Sequence, residues 1–138
     1  MRPREGGDFG ERVVRDLLNT DGAWCIDGPP RGPWDLEYFP ALPFLPVFVE
    51  VKSALPGREF GGLSREELVF RERAMERKLG WAEVHVRYAR NGAKVAGKPR
   101  YRVVAVELFD VMIAGPEVRN ALSVSLARAW RPALHPPY

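Results

Sequence analysis

The chain has 138 residues, 46% hydrophobic and 28% charged, a composition that fits one folded domain over residues 1–138 and excludes a disordered or low-complexity chain. Against 18 Asp and Glu stand 21 Lys and Arg, a net charge of +3, which permits a nucleic-acid partner without requiring one. One cysteine, Cys25, excludes an intramolecular disulfide and a Cys-rich zinc module, and with no membrane-length apolar run or signal-like N-terminus the expectation is a cytoplasmic protein without a membrane partner.

In chain order, Phe9, Val13, Val14, Leu17 and Leu18 recur at helical spacing from Glu5 to about Asn19, which predicts a first helix stopped by Thr20-Asp21-Gly22. Short strands are expected at Ala23–Asp27 and Trp34–Phe39, separated by the breaker cluster of residues 28–33. The proline-punctuated run 40–46 turns the chain into Val47–Ser53, the most apolar strand. After a glycine-rich loop, Leu55–Gly62, expected to be flexible, Ser64 and Glu67 form a capping box. It opens a second helix to about Leu79, with Leu68, Met75 and Leu79 as the expected stripe. Ala82–Ala89 and Tyr101–Leu108 read as strands, and Asn91-Gly92 marks an antiparallel hairpin between them. Glu117–Trp130 reads as a last helix carrying Leu122, Leu126 and Trp130. The order predicts an α/β fold with a mixed central sheet flanked by helices.

The stretch PVFVEVKS, residues 46–53, begins apolar on both faces and then carries Glu50 and Lys52. Two residues apart on a strand, with α-carbons about 6.5–7 Å apart, these side chains share a face while Val49 and Val51 turn to the core. A second E-x-K, Glu76-Arg77-Lys78, lies on a predicted helix that turns its two charges roughly 200° apart. Asp35 sits in the preceding strand, close enough in sequence for the two strands to pair and both carboxylates to face one pocket. Such a pair suits a hard cation such as Mg²⁺, or Mn²⁺ in its place, with the Val51 carbonyl as a backbone ligand and water or phosphate oxygen completing the shell. Lys52 can then orient water, help it ionise, or neutralise developing charge. Glu11, at the border of the first helix's buried face, is an auxiliary ligand candidate.

A helix glutamate, an aspartate in the second strand, Glu-x-Lys in the third and then a helix resemble the PD-(D/E)xK, or restriction-endonuclease-like, nuclease superfamily, in the style of small Mrr-like domains and Holliday-junction resolvases. The matching positions are Glu11, Asp35, Glu50 and Lys52; one residue, Trp34, separates Pro33 from the aspartate that proline usually precedes. The resemblance implies an αβββαβ core from about Glu5 to Leu108 and Mg²⁺-dependent hydrolysis of phosphodiester bonds, usually in DNA. Many members pair to cut two strands, so a homodimer is expected, with the Leu122, Leu126 and Trp130 stripe as a surface for it or for the chain's own sheet.

Arg90, Lys94, Lys98 and Arg100, with Arg58 in the loop after the third strand, are DNA-binding candidates that would position phosphate rather than read sequence. A solvated hairpin would look similar. Related nucleases often place a polar residue at the start of the helix after the third strand, which offers Glu67 a role at the site, but its capping box already explains it; His85 is explained by its place in a strand. The competing class is a non-catalytic module that holds DNA or assembles with another protein, against which stands the retention of carboxylates that repel phosphate.

Overall fold

The computed structural model describes residues 4–20, 22–30, 32–40, 46–112 and 115–130. The expected turn over 41–45, the side chain of Trp130 and the tail after it lie outside the described residues. In chain order the elements are α1 (Arg4–Leu18), β1 (Trp24–Asp27), β2 (Leu36–Phe39), β3 (Val47–Ala54), α2 (Arg65–Glu76), β4 (Gly80–Arg90), β5 (Tyr101–Met112) and α3 (Pro116–Ala127), followed by a 3₁₀ turn at Arg128–Trp130. The fold is α/β, and its element order is the one read from the sequence.

The five strands form one sheet in the order β1-β2-β3-β4-β5. β3 and β4 are parallel and the other neighbours antiparallel, because α2 is the crossover that returns the chain to the start of β4. One face of the sheet carries Leu36, Val47, Val49, Val51, Val84 and Val86 and is closed by α1 and α3. α1 buries Phe9, Val13, Val14, Leu17 and Leu18 there, each contributing roughly 1.5–3 kcal/mol. Gly10 permits that approach: a Cβ would overlap Ser53 Oγ on β3. Leu122 and Leu126 of α3 are buried in the same core, so these two residues of the expected stripe pack on this chain's own sheet. Among the described residues no helix is long and apolar enough to cross a membrane.

Two local expectations are corrected. Leu68 and Met75 of α2 are 40% and 37% exposed, while Ala74 is buried. α2 docks instead through Phe70, whose ring meets Trp34 at 4.3 Å, Phe48 at 5.0 Å and Trp81 at 6.0 Å. The hairpin turn falls at Ala96-Gly97, not Asn91-Gly92. Val95 and Lys98 bridge across it, and φ values of 54° and 76° give the mirror-image turn that matches strand twist.

Candidate active site

β3 presents Phe48, Glu50 and Lys52 to the α2 face, and its parallel register sets them beside Trp81, Glu83 and His85 of β4. The first row is aromatic and the next two are polar. Phe48, Trp81 and Phe70 therefore wall off the inner end of the site, which leaves Glu50 only 3% exposed.

Asp35, just ahead of β2, is fixed by its backbone and its carboxylate. Its N–H donates to the Val49 carbonyl at 3.0 Å and its carbonyl accepts from Gly28 N–H at 2.8 Å. A Cβ at Gly28 would stand 2.8 Å from the Trp34 ring and carbonyl, so this approach depends on glycine. Val51 N–H donates to Asp35 Oδ2 at 2.7 Å. Since a strand residue's N–H and C=O project to the same side, strand geometry turns the Val51 carbonyl to this edge too. The hairpin thus brings Asp35 to the Glu50–Val51–Lys52 segment, as the sequence suggested.

Lys52 Nζ lies 3.3 Å from Glu50 Oε2 and 3.0 Å from Glu67 Oε1. The same Glu67 oxygen accepts the Ser64 N–H at 2.7 Å, while Ser64 Oγ accepts the Glu67 N–H at 3.1 Å. The capping box exists, and the sequence favours it over a site role for Glu67; the structure gives the residue both, since the additional contact to Lys52 depends on how α2 crosses the sheet. Burial, then hydrogen bonding to Glu67 and the charges of Asp35 and Glu67, pushes the Glu50 carboxyl up to about 10. Burial also raises Asp35, against the pull of the Val51 N–H. Burial would raise Glu67, but hydrogen bonds from the Glu50 carboxyl, the Ser64 N–H and the Lys52 ammonium outweigh it and lower the group. For Lys52, burial favours the neutral form, yet the two glutamates prevail and the net shift is upward. At neutral pH the cluster therefore holds a proton on Glu50 beside a charged Lys52 and a charged Glu67.

Glu11 is half-buried on α1 and lines a cleft of about 600 Å³ with Asp8, Asp27 and Asp35. It approaches from the α1 side of the sheet, whereas Glu50 and Lys52 lie on the α2 side, and Asp35 is common to both. Arg58, Arg90, Lys94, Lys98 and Arg100 are all exposed. β4 continues past Ala54, the last residue of β3, which pairs with Arg87, so the basic hairpin projects beyond the β3 end of the site. The loop after β3 is tied rather than free: Arg87 Nη1 donates to the Leu55 and Arg58 carbonyls at 2.7 and 2.5 Å. The second E-x-K lies at the exposed end of α2, away from the cluster.

An Mg²⁺ ion fits what the residues offer. Glu50 Oε1 is buried with no hydrogen-bond partner among the described residues, and the carboxylates crowd one another enough to retain a proton, which a cation would replace. Among the described residues no group of three or more His, Cys, Asp or Glu side chains is arranged to hold a metal ion. A cation here would have to rely on Asp35, Glu50 and a backbone carbonyl, with water and substrate oxygens for the remaining ligands, as Mg²⁺ sites commonly do. No family model, curated protein or solved structure matches this chain.

Proposed function

We propose that the chain is a metal-dependent nuclease of restriction-endonuclease-like fold that hydrolyses DNA phosphodiester bonds. The observation that carries this reading is the convergence of Asp35, Glu50 and Lys52, with the ammonium 3.3 Å from Glu50 and the Asp35 carboxylate held by the backbone N–H between them. The run α1-β1-β2-β3-α2-β4 supports it by following the αβββαβ order that the motif implies. Asp35, Glu50 and the Val51 carbonyl would hold Mg²⁺ or Mn²⁺, with Glu11 auxiliary from the α1 side. A bound cation supplies Lewis-acid polarisation of the phosphate and makes water easier to ionise. Lys52 sets a fixed positive charge where negative charge develops on the phosphoryl oxygens, and Glu67 and Glu50 keep it charged and aimed. The exposed hairpin and Arg58 hold flanking phosphates.

Incubation with plasmid and branched DNA, with Mg²⁺, Mn²⁺ or a chelator, tests this beside Lys52→Ala. Metal-dependent cutting lost in the variant is expected. Cutting that survives both the chelator and Lys52→Ala refutes the mechanism; DNA binding with no cutting under either metal assigns the fold to a binding module instead.

A further inference from the structure

Next to Lys52 the sheet carries a group of rings that the proposed chemistry does not use. His85, the cross-strand neighbour of Lys52, is 7% exposed and its Nε2 lies 2.6 Å from Glu83 Oε2, itself on a buried residue. That contact fixes the plane of the imidazole. The Phe60 ring lies against it at 4.2 Å and 30°, and the Phe109 ring at 4.1 Å and 12°. Phe60 and Phe109 thus sandwich the imidazole in a column of three flat rings.

The two ends of the column differ. At the Phe60 end the Arg87 guanidinium sits 4.3 Å from the ring centroid and is itself held by the Leu55 and Arg58 carbonyls, so this end is closed. Phe109, on the outermost strand, is 58% exposed. It reaches this face because β5 slips in register: Asp110 pairs with Glu83 and Leu108 with Val84, which leaves Phe109 as the extra residue. A bulge of this kind re-aims a side chain. Here it turns a large apolar ring to solvent at the open end of a rigid stack.

We propose that the outer face of Phe109 is a stacking subsite for an unpaired nucleobase, so that the substrate class of the adjoining site is DNA with single-stranded nucleotides beside the scissile phosphate. The proposal rests on the nuclease reading and deepens it. Phe109 stands two strands from Lys52, about 10 Å at ordinary strand spacing, close enough for the base of a nucleotide adjoining a phosphate at Lys52. A base offers a flat π-face to an aromatic ring whatever its identity, and the ring is already immobilised, so little rotamer freedom is lost on stacking. The flanks favour a base over a protein partner. Glu107 is exposed beside the ring and Asp110 is engaged by Arg71 at 3.8 Å, so the ring stands among charges rather than in a contiguous apolar patch. Phosphate is left to the basic hairpin and Arg58, and a duplex, whose bases are already stacked, has no free face to give.

Fluorescence anisotropy with labelled oligothymidylate and with a blunt duplex, both in chelator, compares the unaltered protein with Phe109→Ala and Phe109→Trp. Phe109→Ala is expected to weaken oligothymidylate binding at least about fivefold and to leave the duplex within about twofold, because duplex affinity comes mainly from phosphate contacts. Phe109→Trp restores binding, and its indole fluorescence is quenched by the oligothymidylate. Equal effects on both probes, or no effect on either, overturn the proposal. So does sedimentation showing that Phe109→Ala converts a larger species to monomer, which would assign the ring to a second copy. Binding is read without cleavage, so failure to cut DNA sinks the nuclease reading alone, and an unselective Phe109→Ala sinks the stacking subsite alone.

Discussion

Glu50→Gln tests the charge state of the buried cluster through stability rather than activity. The carboxyl is moved from an ordinary 4.5 up to about 10, first by burial. Between those values the folded chain binds more protons than the unfolded one. The stability contributed by this proton is therefore full below the unfolded value and is lost progressively as pH rises toward the folded one. One proton gives a slope of about 1.4 kcal/mol per pH unit, or roughly 3.5 kcal/mol between about pH 5.5 and pH 8, an upper figure because Glu50 competes for the proton with the raised Asp35. The raised Asp35 acts in the same direction; Glu67, lowered, contributes stability that is lost only at more acid pH. Glutamine keeps the shape and a hydrogen-bond donor but takes up no proton, so most of the slope disappears. In urea denaturation with chelator, the variant is expected to exceed the unaltered protein by about 2–4 kcal/mol at about pH 8 and to approach it near pH 5. Equal slopes in the two proteins, or a variant that is the weaker one at high pH, would refute the reasoning.

Three further perturbations separate the parts. Ser64→Ala removes a cap and should cost about 1 kcal/mol in urea midpoint analysis with cleavage nearly unchanged, whereas Glu67→Gln gives up the contribution of the lowered carboxyl and should both reduce stability at neutral pH and slow cleavage by about tenfold or more through a poorly held Lys52; cleavage as little affected as in Ser64→Ala would mean that Glu67 is only a cap. Gly10→Val drives a side chain into Ser53 and should cost about 2 kcal/mol or more in thermal or urea unfolding; an unchanged midpoint would show that α1 does not press on β3 there. Alanine at Arg90, Lys94, Lys98 and Arg100 together should reduce the slope of log affinity against log salt for duplex DNA by about 3–4, and an unchanged slope removes the hairpin from the interface.

What the sequence made legible was local or strongly periodic. α1 follows from the spacing of Phe9, Val13, Val14, Leu17 and Leu18. β3 is anticipated by an apolar run whose alternation begins at Glu50, and the short link back to Asp35 was enough to infer their pairing. The α2 stripe was misread because an apolar row on a helix normally faces an apolar layer. Here the layer beneath α2 is half polar, so Phe70 and Glu67 turn inward while Leu68 and Met75 remain exposed. The hairpin offered two glycine turns, and choosing between them required the register at which β4 and β5 stop pairing, Arg90 with Tyr101. Glu67 could be suspected from its place at the start of α2, but its contact with Lys52 and the rings around His85 were not legible. Both depend on which β4 residue lies beside which β3 residue, and a parallel register set by a crossover helix leaves no local signature.

Glu67 Oε1 ends the first turn of a helix and anchors the ammonium of Lys52 with one and the same atom. The order of that turn and the position of that charge are consequently linked through the Glu67 carboxylate. α2 has only one fully buried residue, so its opening is among the less costly fluctuations of the fold, and each opening releases Lys52 as well. In the other direction, an anion that draws Lys52 away removes one of the partners of that oxygen, so whatever binds at the lysine is felt at the start of the helix.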